Sequence, residues 1–338
     1  MKLTAGARIS DIAFLLLFAS EFTFYLLILQ TGVVEYHHSD MHALWMLPVG
    51  GLIGIVSSIF LYNERTLLIP FVLLIQLVLS LGYAHTNGFE LFLFGLISGL
   101  TAPLLIARID NFLLIVLALA LSYTYGTYHF HIPAADRTSI AVLLSLVALS
   151  ASLFSQMGRD RTASEGYDAK GATTIFFWLL LDAALFETLS RNSLMSIWGE
   201  MHFTWIIIVF HLVGIAVAYT LRDWNRNNLA LFLLFVLTYG LYAFHLRLEL
   251  SIVYPFVISY YNVILLRRLM RLRYPALAMV ALSLWIASGL GLMIALSGEF
   301  LVAWAVLAVL GVIYLSQRKS DESFSFTSPF RRLMAHGS

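Results

Sequence analysis

The stretch Gly158-Arg-Asp-Arg-Thr-Ala-Ser-Glu-Gly-Tyr-Asp-Ala-Lys-Gly171 is the longest internal polar break in an otherwise apolar chain. Flanked by glycine and carrying charges of both signs, it reads as a linker. Outward from it toward the N-terminus, apolar runs of spanning length fall at 9–32, 41–62, 66–85, 89–107, 111–130 and 138–157. Toward the C-terminus they fall at 173–195, 200–221, 229–247, 250–268, 274–296 and 299–317. The break thus divides twelve runs six and six. The expected fold is an all-α membrane protein of twelve transmembrane helices in two pseudo-symmetric six-helix bundles. Its expected segments are an N-terminal bundle at 1–157, a cytoplasmic linker at 158–172, a C-terminal bundle at 173–317 and a cytoplasmic tail at 318–338.

Composition demands a lipid solvent. The 338 residues are 60% hydrophobic and only 12% charged, against about 25% charged in a soluble domain. Twelve spans of about 20 residues with short turns use nearly the whole length, so no soluble nucleotide-binding domain fits. The chain has no cysteine, which excludes disulfides, thiolate metal sites and cysteine nucleophiles. The first run is too long for a cleavable signal and is expected to remain as a helix. No nucleotide-binding loop, hydrolase elbow or zinc-hydrolase motif occurs. The expectation is therefore no enzyme, no cofactor and no nucleic-acid partner.

Lys and Arg orient the chain. With the N-terminus inside, seventeen of the 20 fall in cytoplasmic segments, and the outer side keeps only Arg137, Arg191 and Arg247. Both termini are expected in the cytoplasm of a bacterial-type inner (plasma) membrane.

A repeat is faintly visible. Setting Glu21 on Asp182 aligns Phe14-Leu-Leu-Leu-Phe-Ala-Ser-Glu21 with Ile175-Phe-Phe-Trp-Leu-Leu-Leu-Asp182. The loop Asn63-Glu64-Arg65-Thr66 then corresponds to Asn225-Arg226-Asn227-Asn228. In this organisation the chain resembles the major facilitator superfamily. That superfamily carries G-x-x-x-D-R-x-G-R-R after its second span. Here the loop reads Phe60-Leu-Tyr-Asn-Glu64-Arg65-Thr-Leu, with Glu64-Arg65 standing for the acidic–basic pair, Phe60 in place of the glycine and no trailing basic residues. The Gly/Pro-rich fifth-span motif of drug antiporters is also absent from 111–130. The resemblance implies a monomeric secondary transporter working by alternating access, with spans one, four, seven and ten around a central cavity.

Glu21 and Asp182 lie near the middle of the first and seventh runs. An ionised side chain at bilayer depth costs ~2.5–3.5 kcal/mol on insertion scales, so two at matching positions point to use. Unpaired and desolvated, they are suited to carry a proton. Glu187 and Arg191 are four apart, about 40° around a helix, and can pair on one face. They are expected to gate or orient a small polar or charged solute. His211, alone at mid-membrane, and Tyr260, Tyr261 and Asn262, which follow Pro255, complete the expected cavity lining.

Eight of the 10 histidines fall at outer ends of runs. His37, His38, Asp40, His42, His129, His131 and His202 therefore form a second candidate constellation. It suits a transition-metal importer for Cu, Fe or Zn, a proton-sensitive gate, or plain interfacial anchoring. A third alternative is a non-transporting assembly factor on the same fold, against which the insertion cost of the buried carboxylates argues. The partners expected are a small-molecule substrate, protons and the lipid bilayer, with proton-coupled symport as the leading mode.

Overall fold

The computed structural model describes residues 5–37, 40–155, 166, 169–191, 195–198, 200–221 and 224–313. Outside them lie His38, most of the expected linker and the expected tail at 318–338. Among the described residues the chain is helical, without strands. Helix α1 (Ala5–Thr23) continues through a π-helical stretch, Phe24–Val33, into a last turn, Val34–His37. There follow α2 (Met41–Leu61), α3 (Arg65–Leu81), α4 (Gly88–Ala107), α5 (Phe112–His129) and α6 (Thr138–Phe154). The second set comprises α7 (Ala169–Arg191), α8 (Met201–Thr220), α9 (Trp224–Ala243), α10 (Arg247–Leu269), α11 (Tyr274–Ser297) and α12 (Phe300–Ile313).

Among the described residues eight helices are long and apolar enough to cross a membrane, while the four at Thr66–Leu81, Thr138–Phe154, Asn228–Ala243 and Phe300–Ile313 are shorter. Aliphatic and aromatic side chains such as Phe60, Leu67, Leu153, Phe244 and Leu301 lie exposed on the outside. In water that surface would be a large aggregation patch; in lipid it is solvated. The chain is an integral membrane protein.

Several boundaries differ from expectation by four or five residues, α9 among them at Trp224–Ala243 against 229–247, and three have a local cause. The first helix runs on to His37 because the π-helical stretch carries it past Gly32. The third ends at Leu81, where Gly82 turns the chain into the short 3₁₀ turn Tyr83–His85. The seventh begins at Ala169, inside the expected linker, with the Thr173 hydroxyl donating to the Ala169 carbonyl at 2.8 Å.

Helix starts follow local chemistry. Asn87 accepts from Phe89 N at 3.0 Å and Glu90 N at 3.1 Å, while Asn87 N donates to Glu90 Oε2 at 2.8 Å, a reciprocal capping box. Asp40 caps α2 and Asn111 caps α5 in the simpler one-sided way. Asn87→Ala is expected to lower stability by about 1 kcal/mol; a thermal-unfolding midpoint unchanged from wild type would show the cap to be idle.

Packing repeats with an offset of six helices. In the first set α2 packs on α4 and α1 on α5; in the second α8 packs on α10 and α7 on α11. The sets meet through α2 against α11 and through α5 against α8, contacts that map onto each other under the same offset. Trp285 Nε1 donates to the Pro48 carbonyl at 3.0 Å across the first of these seams, and Tyr62 stacks on Tyr274 at 3.9 Å. Across the second, the Tyr123 and His211 rings stack 4.4 Å apart, and Phe112 stacks on Tyr219 at 6.0 Å.

Candidate functional site

Three cavities lie where the two helix sets meet, and each has one acidic side chain in its lining. The largest, about 200 Å³, is bounded by Glu21, Phe22 and Tyr25 of α1 and its π-helical extension, Thr101 of α4, Asn262 of α10 and Trp285 of α11. A second, about 60 Å³, holds Asp182 together with Gln30, Tyr123, His211, Trp198 and Asn262. A third, about 80 Å³, holds Glu187 with Tyr25, Gln30, Trp285 and Ser288. Asn262 is common to the first two, Gln30 to the last two, and Tyr25 and Trp285 to the first and third. The three carboxyl groups therefore line separate cavities that share one or two wall residues with each other.

Each carboxyl is held differently. Glu21 Oε1 accepts from Gln76 Nε2 at 2.8 Å, while the Thr101 hydroxyl, in the same cavity wall, donates to the Ile97 carbonyl at 2.9 Å. Behind it a polar ladder crosses the first helix set: Gln76 Nε2 lies 3.4 Å from Ser145 Oγ, which is 2.9 Å from Ser80 Oγ. Asp182 is 9% exposed. The Tyr254 hydroxyl bridges its Oδ1 at 3.0 Å and its own carbonyl at 2.9 Å. Both groups are satisfied by neutral donors of their own helix set, so neither is the bare carboxylate that the sequence suggests. Glu187, 2% exposed, instead accepts from Arg191 Nη2, and Gln30 of the other set lines the same cavity.

The remaining expected residues separate. Asn262 Nδ2 donates to the Tyr123 hydroxyl at 2.7 Å and to the Ile258 carbonyl at 3.0 Å, tying α10 to α5. His211 Nδ1 shares a 2.6 Å hydrogen bond with Ser259 Oγ. Tyr260 and Tyr261 line none of the three cavities: Tyr260 stacks on Phe256 at 5.8 Å and Tyr261 packs against Phe235 at 6.4 Å. Successive helical residues diverge by about 100°, so Asn262 can face the junction while its two neighbours do not.

The histidine constellation is spread out. His37 Nε2 shares a 3.0 Å hydrogen bond with Thr86 Oγ1, and His129 Nδ1 one of 2.9 Å with the Tyr125 carbonyl. His202 Nε2 lies 3.3 Å from Glu200 Oε2, while Asp40 caps α2, His42 is exposed and the Tyr128 ring meets His131 edge-on. Arg247 donates to Glu200, which holds that exposed carboxyl below its usual range. Among the described residues no three His, Cys, Asp or Glu side chains are grouped so as to hold a metal ion.

Sequence reasoning missed Gln30, Gln76, Tyr123, Tyr254 and Trp285. Two of these carried a signal, since Gln30 and Gln76 are amides inside or at the edge of apolar runs, where an unpartnered polar group is costly. It also missed Arg137. This side chain, 1% exposed, leaves the turn before α6 and enters the π-helical stretch, donating from Nη1 to the Leu27 carbonyl at 2.9 Å and Thr31 Oγ1 at 3.1 Å.

Among the described residues two matched sets of six helices, eight of the twelve long and apolar enough to cross a membrane, meet around these cavities. The structure of the human organic anion transporter MFSD10 (TETRAN) is similar, with a TM-score of 0.61 at 12% identity, covering 93% of this chain and 98% of that one. No family model matches the sequence, and no curated protein matches it.

Proposed function

We propose that this chain is a secondary transporter of the major facilitator type, moving a small organic solute across a bacterial-type inner membrane by alternating access. The observation that carries the reading is the arrangement at the junction of the helix sets. Three cavities, each with one acid in its lining, share wall residues: Asn262 between the first two, Gln30 between the last two, and Tyr25 and Trp285 between the first and third. Rocking one set against the other would move Gln30, Asn262 and Trp285 and change which compartments connect, as a midplane site requires. The likeness to a solved transporter supports the same reading.

In this reading twelve helices span the bilayer with both termini cytoplasmic, the four shorter ones included, and the chain acts as a monomer. Glu21 and Asp182 couple transport to protons. A neutral hydrogen-bonding partner such as Gln76 or Tyr254 can accompany a carboxyl in either protonation state, which an arginine cannot do without cost. The Glu187–Arg191 pair gates the outer side, and His211 and Asn262 line the solute path. Tyr260 and Tyr261 take supporting roles behind Asn262.

The test is reconstitution in proteoliposomes with an imposed pH gradient, using a panel of labelled amines, carboxylates, sugars and amino acids. At least one solute should accumulate above protein-free vesicles, and accumulation of none overturns the transporter reading. Glu21→Gln or Asp182→Asn should abolish accumulation while leaving exchange down a gradient partly intact. Normal accumulation by both variants would end the coupling assignment.

A further inference from the structure

We infer that the transported solute is a monovalent organic cation with a compact apolar body, seated in the cavity around Glu21; this rests on the transporter reading above. Twenty residues line the cavity, drawn from α1, its π-helical extension, α2, α4, α7, α10 and α11, and Glu21 is the one charged residue among them. Among the described residues no lysine or arginine lines this cavity or either of its two neighbours.

The three acids are not equivalent. Glu187 already has Arg191 as its counter-charge, and Asp182 lines the smallest compartment. Glu21 has a neutral hydrogen-bond donor, Gln76, and no cationic side chain among the described residues offsets its charge. Its compartment is also the largest of the three, about 200 Å³. A negative charge in a mainly apolar enclosure favours a ligand that brings the missing positive charge. An anion there would meet a carboxylate and no compensating cation, and would lose its hydration with nothing in return.

The walls fit the same class of ligand. Tyr25 and Trp285, with ring centroids 5.8 Å apart, stand beside Glu21 together with Phe22, and Asn262 supplies a polar edge. Aromatic faces attract an ammonium group through their quadrupole, and most strongly where water is excluded. Aliphatic groups from α10 (Leu265, Leu266 and Leu269) complete the far side and suit an apolar body rather than a sugar or a zwitterion. The fold is shared with an organic anion transporter, but the charge in this cavity is of the opposite sense to the one an anion needs.

The experiment is equilibrium binding to the purified full-length chain in nanodiscs, with labelled benzyltrimethylammonium as the cation and benzenesulfonate as an anion of similar size. Benzyltrimethylammonium should bind saturably and resist displacement by benzenesulfonate. Glu21→Gln should weaken it by about tenfold or more, as expected when one member of a desolvated charge pair is removed. Trp285→Leu keeps an apolar wall and should weaken binding several-fold, which gives a second arm if Glu21→Gln does not fold. Displacement by benzenesulfonate, unchanged affinity in a folded Glu21→Gln protein, or absence of saturable binding would each overturn the inference. In the proteoliposome assay, accumulation of anions alone overturns the cation assignment and leaves the transporter reading standing. Accumulation of nothing overturns both.

Discussion

Arg137→Ala is expected to destabilise the protein by about 3–5 kcal/mol, because it strips a donor from several buried acceptors at once. The guanidinium, 1% exposed, spends its donors on the backbone: Nε on the Ile132 carbonyl at 2.8 Å, Nη2 on the Phe130 carbonyl at 2.8 Å and Nη1 on the Leu27 carbonyl at 2.9 Å. It also lies over the Phe130 ring at 5.3 Å and 3.8 Å from Glu35. Burial holds its pKa below the ordinary arginine value, with Glu35 acting in the opposite sense, but an arginine stays charged at any physiological pH. Alanine would leave these carbonyls short of donors in a site closed to water, at about 1–3 kcal/mol for each group left unsatisfied.

The same side chain has a second consequence through the π-helical stretch. A π-helical stretch, built on i→i+5 hydrogen bonds, is rare, and side-chain donors to its carbonyls help to hold it. Here Arg137 takes Leu27, and the Tyr83 hydroxyl reaches Ile28 at 3.4 Å. That stretch carries Tyr25 and Gln30, wall residues shared between the cavities. Arg137→Lys keeps the charge but cannot bridge Ile132, Phe130 and Leu27 at once, so its unfolding midpoint should fall between those of wild type and Arg137→Ala. Detergent-solubilised protein followed by thermal unfolding reads all three. An alanine variant within about 1 kcal/mol of wild type, the size of an ordinary point substitution, would show that the clasp contributes little.

The sequence was most legible where a single physical rule dominates. Apolar runs and their polar breaks located the helices to within a few residues, because in lipid a backbone group without a partner is too costly to leave inside a run. Asp40 and Asn87 sit at helix starts, as their side chains favour. Glu21, Asp182 and Glu187 could be picked out by depth alone, since few reasons keep a carboxyl there. What depth could not reveal is the partner. Gln76 meets Glu21 from 55 residues away, and Tyr254 meets Asp182 from 72 away. The π-helical stretch was also hidden, because its cause is a side chain 106 to 110 residues further along the chain. Tyr260 and Tyr261 were drawn into the site by adjacency to Asn262, although one residue step on a helix changes the face.

A second large effect is expected from the glycines between α2 and α4, which are written in the sequence as two Gly-x-x-x-Gly pairs, Gly50/Gly54 and Gly95/Gly99. Such pairs let helix backbones touch in a solvent that offers no hydrophobic drive for association. A methyl group on Gly50 would stand 2.0 Å from the Phe92 carbonyl oxygen, and one on Gly54 2.2 Å from that of Leu96. On the facing helix, Gly95 would meet the Leu47 oxygen at 2.0 Å and Gly99 the Gly51 oxygen at 2.1 Å. These obstacles are backbone, so no rotamer change relieves them and the helices must move apart. Gly214 repeats the device in the second set, 2.5 Å from the Phe256 oxygen between α8 and α10. Gly95→Val or Gly99→Val should therefore cost about 3 kcal/mol or more, at or above the upper end for overpacking. The double variant should not fold. Gly240→Ala is the control: nothing lies within 4 Å of a methyl there, and alanine is favoured over glycine in a helix by about 1 kcal/mol. Unfolding midpoints should thus move in opposite directions for the two kinds of glycine. If Gly99→Val and Gly240→Ala behave alike, α2 and α4 do not pack backbone to backbone, and the wall that α4 gives the Glu21 cavity is wrongly placed.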